Sequence, residues 1–273
     1  MWRTCAGATA LIRRTGGYSG AAHGTSAVMP RDRFFSAHVH AAGERVVLAP
    51  DDARKLITVL RRQTGDRVQI VDSGGVAFAA RLEIDGKVVR ALLDAPLAGG
   101  EIEPGARIVV AQAIPKGQKM DFIVEKATEL GVAAIVPLRS ARVVGDRTGD
   151  AKHDRWQRIA RAAAQQSGRA RVPRIEPVAD WAALRATFDT YERVYIPWEG
   201  AGAGPLRQRF ESEARGAASI LIIIGPEGGF SADEVARAQA AGAVPVSLGT
   251  RILRTETAAL VVLAALLYAR GEL

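Results

Sequence analysis

Between Ile220 and Phe230 the chain reads ILIIIGPEGGF, an apolar run that stops in a turn of glycine, proline and glutamate. A buried strand opening into Gly225-Pro-Glu-Gly-Gly229 exposes backbone N–H groups, because glycine has no Cβ to hold a ligand away. Ser231 suits the N-cap of a following helix, and Glu234 completes a capping box. The loop thus falls between a strand end and a helix start, where open α/β sheets bind ligands. Its spacing does not match G-x-G-x-x-G and no phosphate-binding lysine follows, so neither a dinucleotide nor ATP is the fitting ligand. A structural tight turn is the other use of such a loop.

A second segment, Val244 to Ala259, reads VPVSLGTRILRTETAA. A strand ends at Leu248-Gly249, and a basic loop with Arg251 and Arg254 follows. Thr255 can cap the next helix, with Glu256 and Thr257 in its first turn. Two polar loops at successive strand ends form one cleft, to which Arg254 adds a permanent charge. Taken alone, Arg254 reads equally well as a surface charge. A third segment, Gln165 to Arg169, ends a helix bearing Arg155, Arg158 and Arg161 opposite Trp156, Ile159, Ala160 and Ala163. Those arginines fit a phosphate-binding face or a solvated one. The fourth, Lys116-Gly-Gln-Lys-Met-Asp121, puts lysines ahead of a helix, for phosphate or for solubility. His38 and His40 share a strand face without a third ligand and read as a surface pair, so no metal site is expected. The lone Cys5 can form neither an internal disulfide nor a cysteine zinc site.

These segments need elements to hold them. The chain's 273 residues fit one large domain or two smaller ones, with 48% hydrophobic residues to build cores. The formal charge of +8 makes a polyanion such as nucleic acid the first partner to test. From Arg33 to Leu93, short strands (Arg45–Leu48, Arg67–Val71, Val76–Ile84, Val88–Leu93) with glycine turns predict a small barrel, interrupted by a helix over Asp51–Arg62 with Leu56, Val59 and Leu60 inward. The stretch 95–105 reads as a linker. Strands at Arg107–Ala113, Ala133–Leu138, Tyr191–Pro197, Ser219–Ile224 and Val244–Leu248 then alternate with helices at Gln118–Leu130, His153–Gln166, Ala232–Ala241 and Glu256–Arg270. That pattern predicts an α/β domain with a mostly parallel sheet. The longest apolar run, Ala258 to Ala269, is too short to span a bilayer, so no membrane partner is expected. Residues 1–28 carry three arginines and no acid, and read as an extension outside the folded body.

Beyond these local readings, the sequence resembles a family: bacterial SPOUT-superfamily methyltransferases that modify N3 of a uridine in small-subunit (16S) ribosomal RNA. The resemblance rests on Phe34-Phe35, Val59-Leu-Arg61 with Gly65-Asp66, Lys116 to Gly131, Pro137-Leu138 with Arg142, Arg155-Trp156, Gln166 to Arg169, Gly225 to Phe230 and Ser247 to Ala259. The last two together are the most specific. Arg54-Lys55 departs from it, since the family commonly has histidine there. The resemblance implies a PUA-like RNA-binding β-barrel over 29–100, then a SPOUT domain over 101–273 with a C-terminal trefoil knot. It further implies a cytoplasmic homodimer with its active site near the interface.

It also implies that S-adenosylmethionine lies bent against three strand-end loops. The implied cofactor residues are Ile196, Pro197 and Trp198 in the first loop. The second supplies Ile224, Gly225, Pro226, Glu227, Gly228 and Gly229, and the third Leu248, Gly249, Ile252, Leu253 and Thr257. Ile252 and Leu253 would pack on the adenine. Methylating a uridine N3 requires a proton acceptor and a group that stabilises the resulting anion. Arg254 and then Arg169 are the candidates for stabilisation, and Glu227 or Glu256 for the proton. Arg33, Arg61, Arg62, Lys116, Lys119, Arg139 and Arg142 are the candidate RNA contacts. Two rivals remain: a ribosome-assembly factor that binds RNA without catalysis, and a dehydrogenase, whose fingerprint is missing.

Overall fold

The structure, a computed structural model, describes residues 32–97, 103–139, 150–200 and 202–273. The predicted extension 1–28, the middle of the predicted linker and Arg142 lie outside the described residues. Two lobes are built on two separate sheets.

The first lobe contains β1 (Arg33–Phe35), β2 (Arg45–Val47), α1 (Pro50–Arg54), β3 (Arg67–Val71), β4 (Ala77–Asp85) and β5 (Val88–Pro96). Its sheet runs β1-β3-β4-β5-β2, with only the β1–β3 pair parallel. Asp85 opposes Val88 across a two-residue turn in which Gly86 takes φ 59°, a conformation that costs glycine little. Phe34, Leu56, Val68, Ile70, Phe78, Leu82 and Leu93 fill the core. Backbone pairing leaves β1 and β2 as edges, so among the described residues hydrogen bonds do not close the sheet into the predicted barrel. The predicted helix Asp51–Arg62 also differs. After Arg54 the chain widens into a π-helical turn, Lys55–Val59, closed by the Leu60 amide on the Lys55 carbonyl at 2.9 Å. The wider turn rotates later residues off the α-helical face. Leu56 is buried, but Val59, predicted inward, is 70% exposed.

The second lobe follows the predicted alternation. Its sheet consists of β6 (Arg107–Ala113), β7 (Ala134–Arg139), β8 (Arg174–Ile175), β9 (Ala179–Asp180), β10 (Arg193–Pro197), β11 (Gly204–Pro205), β12 (Ser219–Ile224) and β13 (Val244–Ser247). The order is β11-β13-β10-β12-β6-β7-β8, with β9 also on β7, and every pairing is parallel. The helices are α2 (Lys119–Glu129), α3 (Asp150–Ser167), α4 (Trp181–Arg185), α5 (Leu206–Arg209), α6 (Ala232–Ala240) and α7 (Thr255–Arg270). Such a sheet is covered on both faces, which is why β12 is apolar from Ile220 onward. Ile220, Ile222 and Ile224 join the core containing Met120, Ile123, Leu263 and Leu266, while Leu221 and Ile223 join the core containing Leu184 and Val235. Among the described residues, no helix is long and apolar enough to cross a membrane.

The lobes meet along α3. Asp52 is buried and accepts from Arg161 at 2.7 Å and Gln165 at 3.0 Å. Arg33 donates to the carbonyls of Gly168 and Arg169, and Phe35 and Val71 pack on Ala164.

Candidate functional site

Because every strand of the second sheet runs the same way, the loops leaving β10, β12 and β13 emerge at one edge. Ser231 accepts from the Glu234 amide, and Glu234 returns a bond to the Ser231 amide, so the predicted capping box starts α6 directly after the glycine loop. The loops enclose a cavity of about 500 Å³, within the range of ligand pockets.

The glycines are there for space as well as conformation. A Cβ on Gly225 would sit 3.2 Å from the Phe230 ring. Gly229 has φ 63°, and a Cβ there would meet the Glu199 carboxylate at 3.1 Å. A buried relay fixes the spacing of the floor. Gln112 Nε2, at the end of β6, donates to Thr255 Oγ1 at 2.9 Å, and Thr255 Oγ1 donates to the Gly225 carbonyl at 2.6 Å. One hydroxyl therefore ties the glycine loop, β6 and the first turn of α7 together.

Of the residues implied for the cofactor, Pro197, Trp198, Ile224, Gly225, Pro226, Glu227, Gly229, Leu248, Gly249, Ile252 and Leu253 line this cavity, as does Arg254. Ile196, Gly228 and Thr257 are not part of the lining. Ile196 is fully buried behind it, and Thr257 is exposed on α7. Ile252 stands at the rim, 93% exposed. Arg254 is the N-cap residue of α7, and its guanidinium has no hydrogen-bond or ion-pair partner among the described residues. Glu199 and Thr250, within the first and third of the implied cofactor loops, also line the cavity, and lining residues outside those loops include Lys119, Phe230 and Ser247. Lys119 carried no sequence signal that points inward.

Several sequence assignments are corrected by geometry. Arg169, read as a second catalytic arginine, is 3% exposed and fully engaged. It forms a bidentate pair with Glu103 and donates to the carbonyls of Thr128 at 3.2 Å and Val132 at 2.7 Å. Its donors are spent on packing α3 against the start of the second lobe, and it does not line the cavity. Glu227, a candidate proton acceptor, is unsuited to that task. Burial pushes its carboxyl up, but its own amide, the Lys116 amide and the Lys119 ammonium outweigh this and hold it below the usual carboxylate range. A group so stabilised as the anion is a weak base. Glu256 is near the cavity but not part of its lining.

Among the RNA candidates, Arg33 is turned onto the lobe seam, and burial lowers its pKa from the ordinary arginine value. Arg62 pairs with Asp32 at 2.5 Å. Lys119 faces the cavity. Arg61, Lys116 and Arg139 are exposed. Of the arginine row on α3, Arg155 and Arg158 are exposed, as on the solvated face, although Arg155 also pairs with Asp121; only Arg161 turns inward, onto Asp52. His40 is held between Ser36 and Glu44 rather than with a metal-ligand set.

A family model described as an RNA methyltransferase domain matches residues 102–267. The ribosomal RNA small subunit methyltransferase E of Bacillus subtilis is 31% identical over 80% of this chain and 88% of its own length. The protein of the same name from Mycobacterium bovis is 34% identical over 82% of this chain and 86% of its own length. Among solved structures, the ribosomal RNA small subunit methyltransferase E of Neisseria gonorrhoeae, bound to S-adenosyl methionine, superposes with a TM-score of 0.78. It is 32% identical and covers 88% of this chain and 97% of its own. A methyltransferase from Legionella pneumophila in complex with the same cofactor gives 0.78 at 30% identity, covering 87% of this chain and 97% of its own. On the extent of these matches, the chain belongs to the ribosomal RNA small subunit methyltransferase E family.

Proposed function

We propose that this protein transfers a methyl group from S-adenosylmethionine to N3 of a uridine in small-subunit (16S) ribosomal RNA. The cavity fits that cofactor in chemistry as well as volume. Trp198, Ile224, Leu248 and Leu253 offer apolar surface for an adenine, Gly225 and Gly229 allow close backbone approach, and Glu199 offers an anion to hydroxyl or ammonium groups. When bound, the sulfonium supplies an already activated methyl group, so the protein's task is positioning and charge stabilisation.

The observation that carries the reading is the guanidinium of Arg254, unpartnered among the described residues, in the lining of a glycine-containing cavity. Uracil N3 becomes nucleophilic on losing its proton to solvent water, the charge spreads to the flanking carbonyl oxygens, and methyl transfer leaves S-adenosylhomocysteine as the product. A fixed arginine stabilises that anion at no risk of deprotonating. Arg61, Lys116 and Arg139 supply exposed cations for RNA phosphate, giving salt-sensitive and sequence-independent contacts.

The same reading includes a PUA-like first lobe, a trefoil knot through the loops around the cavity, action in the cytoplasm, and a homodimer. The dimer is supported by exposed apolar side chains, Val261 and Tyr268 on α7 and Ile252 at the rim, that a second copy would cover. Titration calorimetry with S-adenosylmethionine, followed by methyl transfer to small ribosomal subunits lacking the modification, tests the proposal. Mass spectrometry should place the methyl on N3 of a single uridine. Absence of binding heat, or a methyl on another atom, would refute it.

A further inference from the structure

Lys119 is the first residue of α2, yet its side chain lines the cavity rather than extending into solvent. Two carboxylates from different elements hold it there. Glu227 Oε1, from the glycine loop, lies 3.2 Å from Nζ, and Glu256 Oε2, from the first turn of α7, lies at 3.5 Å. Glu227 is anchored by the Lys116 amide at 3.1 Å. Glu256 Oε2 is buried and makes no hydrogen bond, so Lys119 is its counter-charge. A long lysine side chain usually keeps several rotamers, and two fixed anions restrict this one.

An ammonium has three N–H donors and no acceptor. Glu227 takes one of these donors, which leaves donor capacity for a ligand in the cavity that Lys119 and Arg254 both line. A donor-only group there suits a carbonyl oxygen and rejects an amino group. Uracil places a carbonyl on each side of N3, whereas cytosine replaces one of them with an amine. Resting on the proposed methyl transfer, we infer that Lys119 is a specificity-determining catalytic residue that donates to the C4 carbonyl of the target uracil, selecting uridine over cytidine and sharing the anion's charge with Arg254. Glu227 and Glu256 are the positioning residues that aim it.

The test uses the full-length protein and small-subunit particles reconstituted with either uridine or cytidine at the methylated position. Lys119→Met should lower kcat on the uridine particle about 100-fold, the scale for losing one preorganised donor. Its affinity for S-adenosylmethionine, by calorimetry, should stay within about threefold, because the loss belongs to the transition state. The preference for uridine should fall at least about tenfold, since a site built to hydrogen-bond a group rejects the analogue that lacks it.

Unchanged kcat, or an unchanged preference, overturns the inference. Lys119→Met also leaves two carboxylates facing each other. The double variant Lys119→Met/Glu256→Gln relieves that repulsion and should keep both losses. Recovery of turnover and preference in the double variant would reduce Lys119 to a structural counter-ion and overturn the inference. Failure of the unmodified protein to methylate the uridine particle would refute the enzymatic reading itself, before any variant is compared.

Discussion

The seam between the lobes and the loop cluster at the sheet edge are both rich in arginine, and they use it in opposite ways. At the seam and directly behind it, Arg33 and Arg161, and then Arg169, are each bound to carboxylates, amides or carbonyls. At the loop cluster, Arg254 has no partner among the described residues, although it lines a cavity. The charge that holds the structure is consumed within it, and the charge available for a substrate is left over. The largest effect expected from breaking this contrast is at the seam. Arg169→Met removes the cation of Glu103 and the donors of two buried carbonyls, and should cost about 3–5 kcal/mol, as for other broken buried pairs. Thermal unfolding should show a fall of roughly 2–4 °C per kcal/mol, while protein that remains folded keeps its cofactor affinity. Full stability with lost turnover would instead return Arg169 to the active site.

Arg254→Ala should do the reverse. No partner within the described residues is stranded by it, so stability should change by less than about 0.5 kcal/mol. Methyl transfer to small-subunit particles should fall by about 10²–10³, or roughly 2.7–4 kcal/mol of transition-state stabilisation. Normal turnover in a folded variant would remove Arg254 from the chemistry and break the contrast from its other side.

This contrast was only half legible in the sequence. The loop cluster was readable because its signals are local. An apolar run buried on both faces, a glycine turn and a capping box all lie within Ile220–Glu234, and the structure has each of them in place. The seam was not readable, because its partners are distant in sequence. Arg161 and Asp52 are 109 residues apart, and Arg169 and Glu103 are 66 apart. Spacing on α3 identified a row of arginines, but nothing local distinguishes an arginine that meets an aspartate from one that meets phosphate. The widened turn at Lys55–Val59 escaped for another reason: helical periodicity assumes a constant pitch, and a π turn breaks it within a few residues. Lys119 combines both difficulties, since its role depends on two carboxylates brought in by folding.

A smaller effect separates support from chemistry inside the site. Thr255→Val keeps the shape of the side chain but strands the Gly225 carbonyl and one of the two N–H groups of Gln112 Nε2, whose other N–H keeps the Ala113 carbonyl. It should cost about 1–3 kcal/mol, the penalty for unpaired buried polar groups. If the relay sets the position of the glycine loop, cofactor affinity should weaken along with stability, and Thr255→Ser, which keeps the hydroxyl, should recover both. Lost stability with unchanged affinity would show that the relay supports the fold without shaping the cavity.

The finest form of the contrast lies between two neighbours in the first lobe. Arg62 is spent, paired with Asp32 at 2.5 Å and near Asp66 at 3.9 Å. Arg61 is exposed, takes φ 52°, and makes no side-chain hydrogen bond or ion pair among the described residues. Arg62→Ala should therefore cost stability, though no more than about 1 kcal/mol for so exposed a pair. It should leave the salt dependence of RNA binding unchanged. Arg61→Ala should leave stability unchanged and lower the slope of log affinity against log salt by about 1, the loss of one phosphate contact. Identical slopes for the two variants would mean that an arginine's partners within the fold do not decide whether it reaches RNA, and the distinction drawn between seam and site would fail at its most local test.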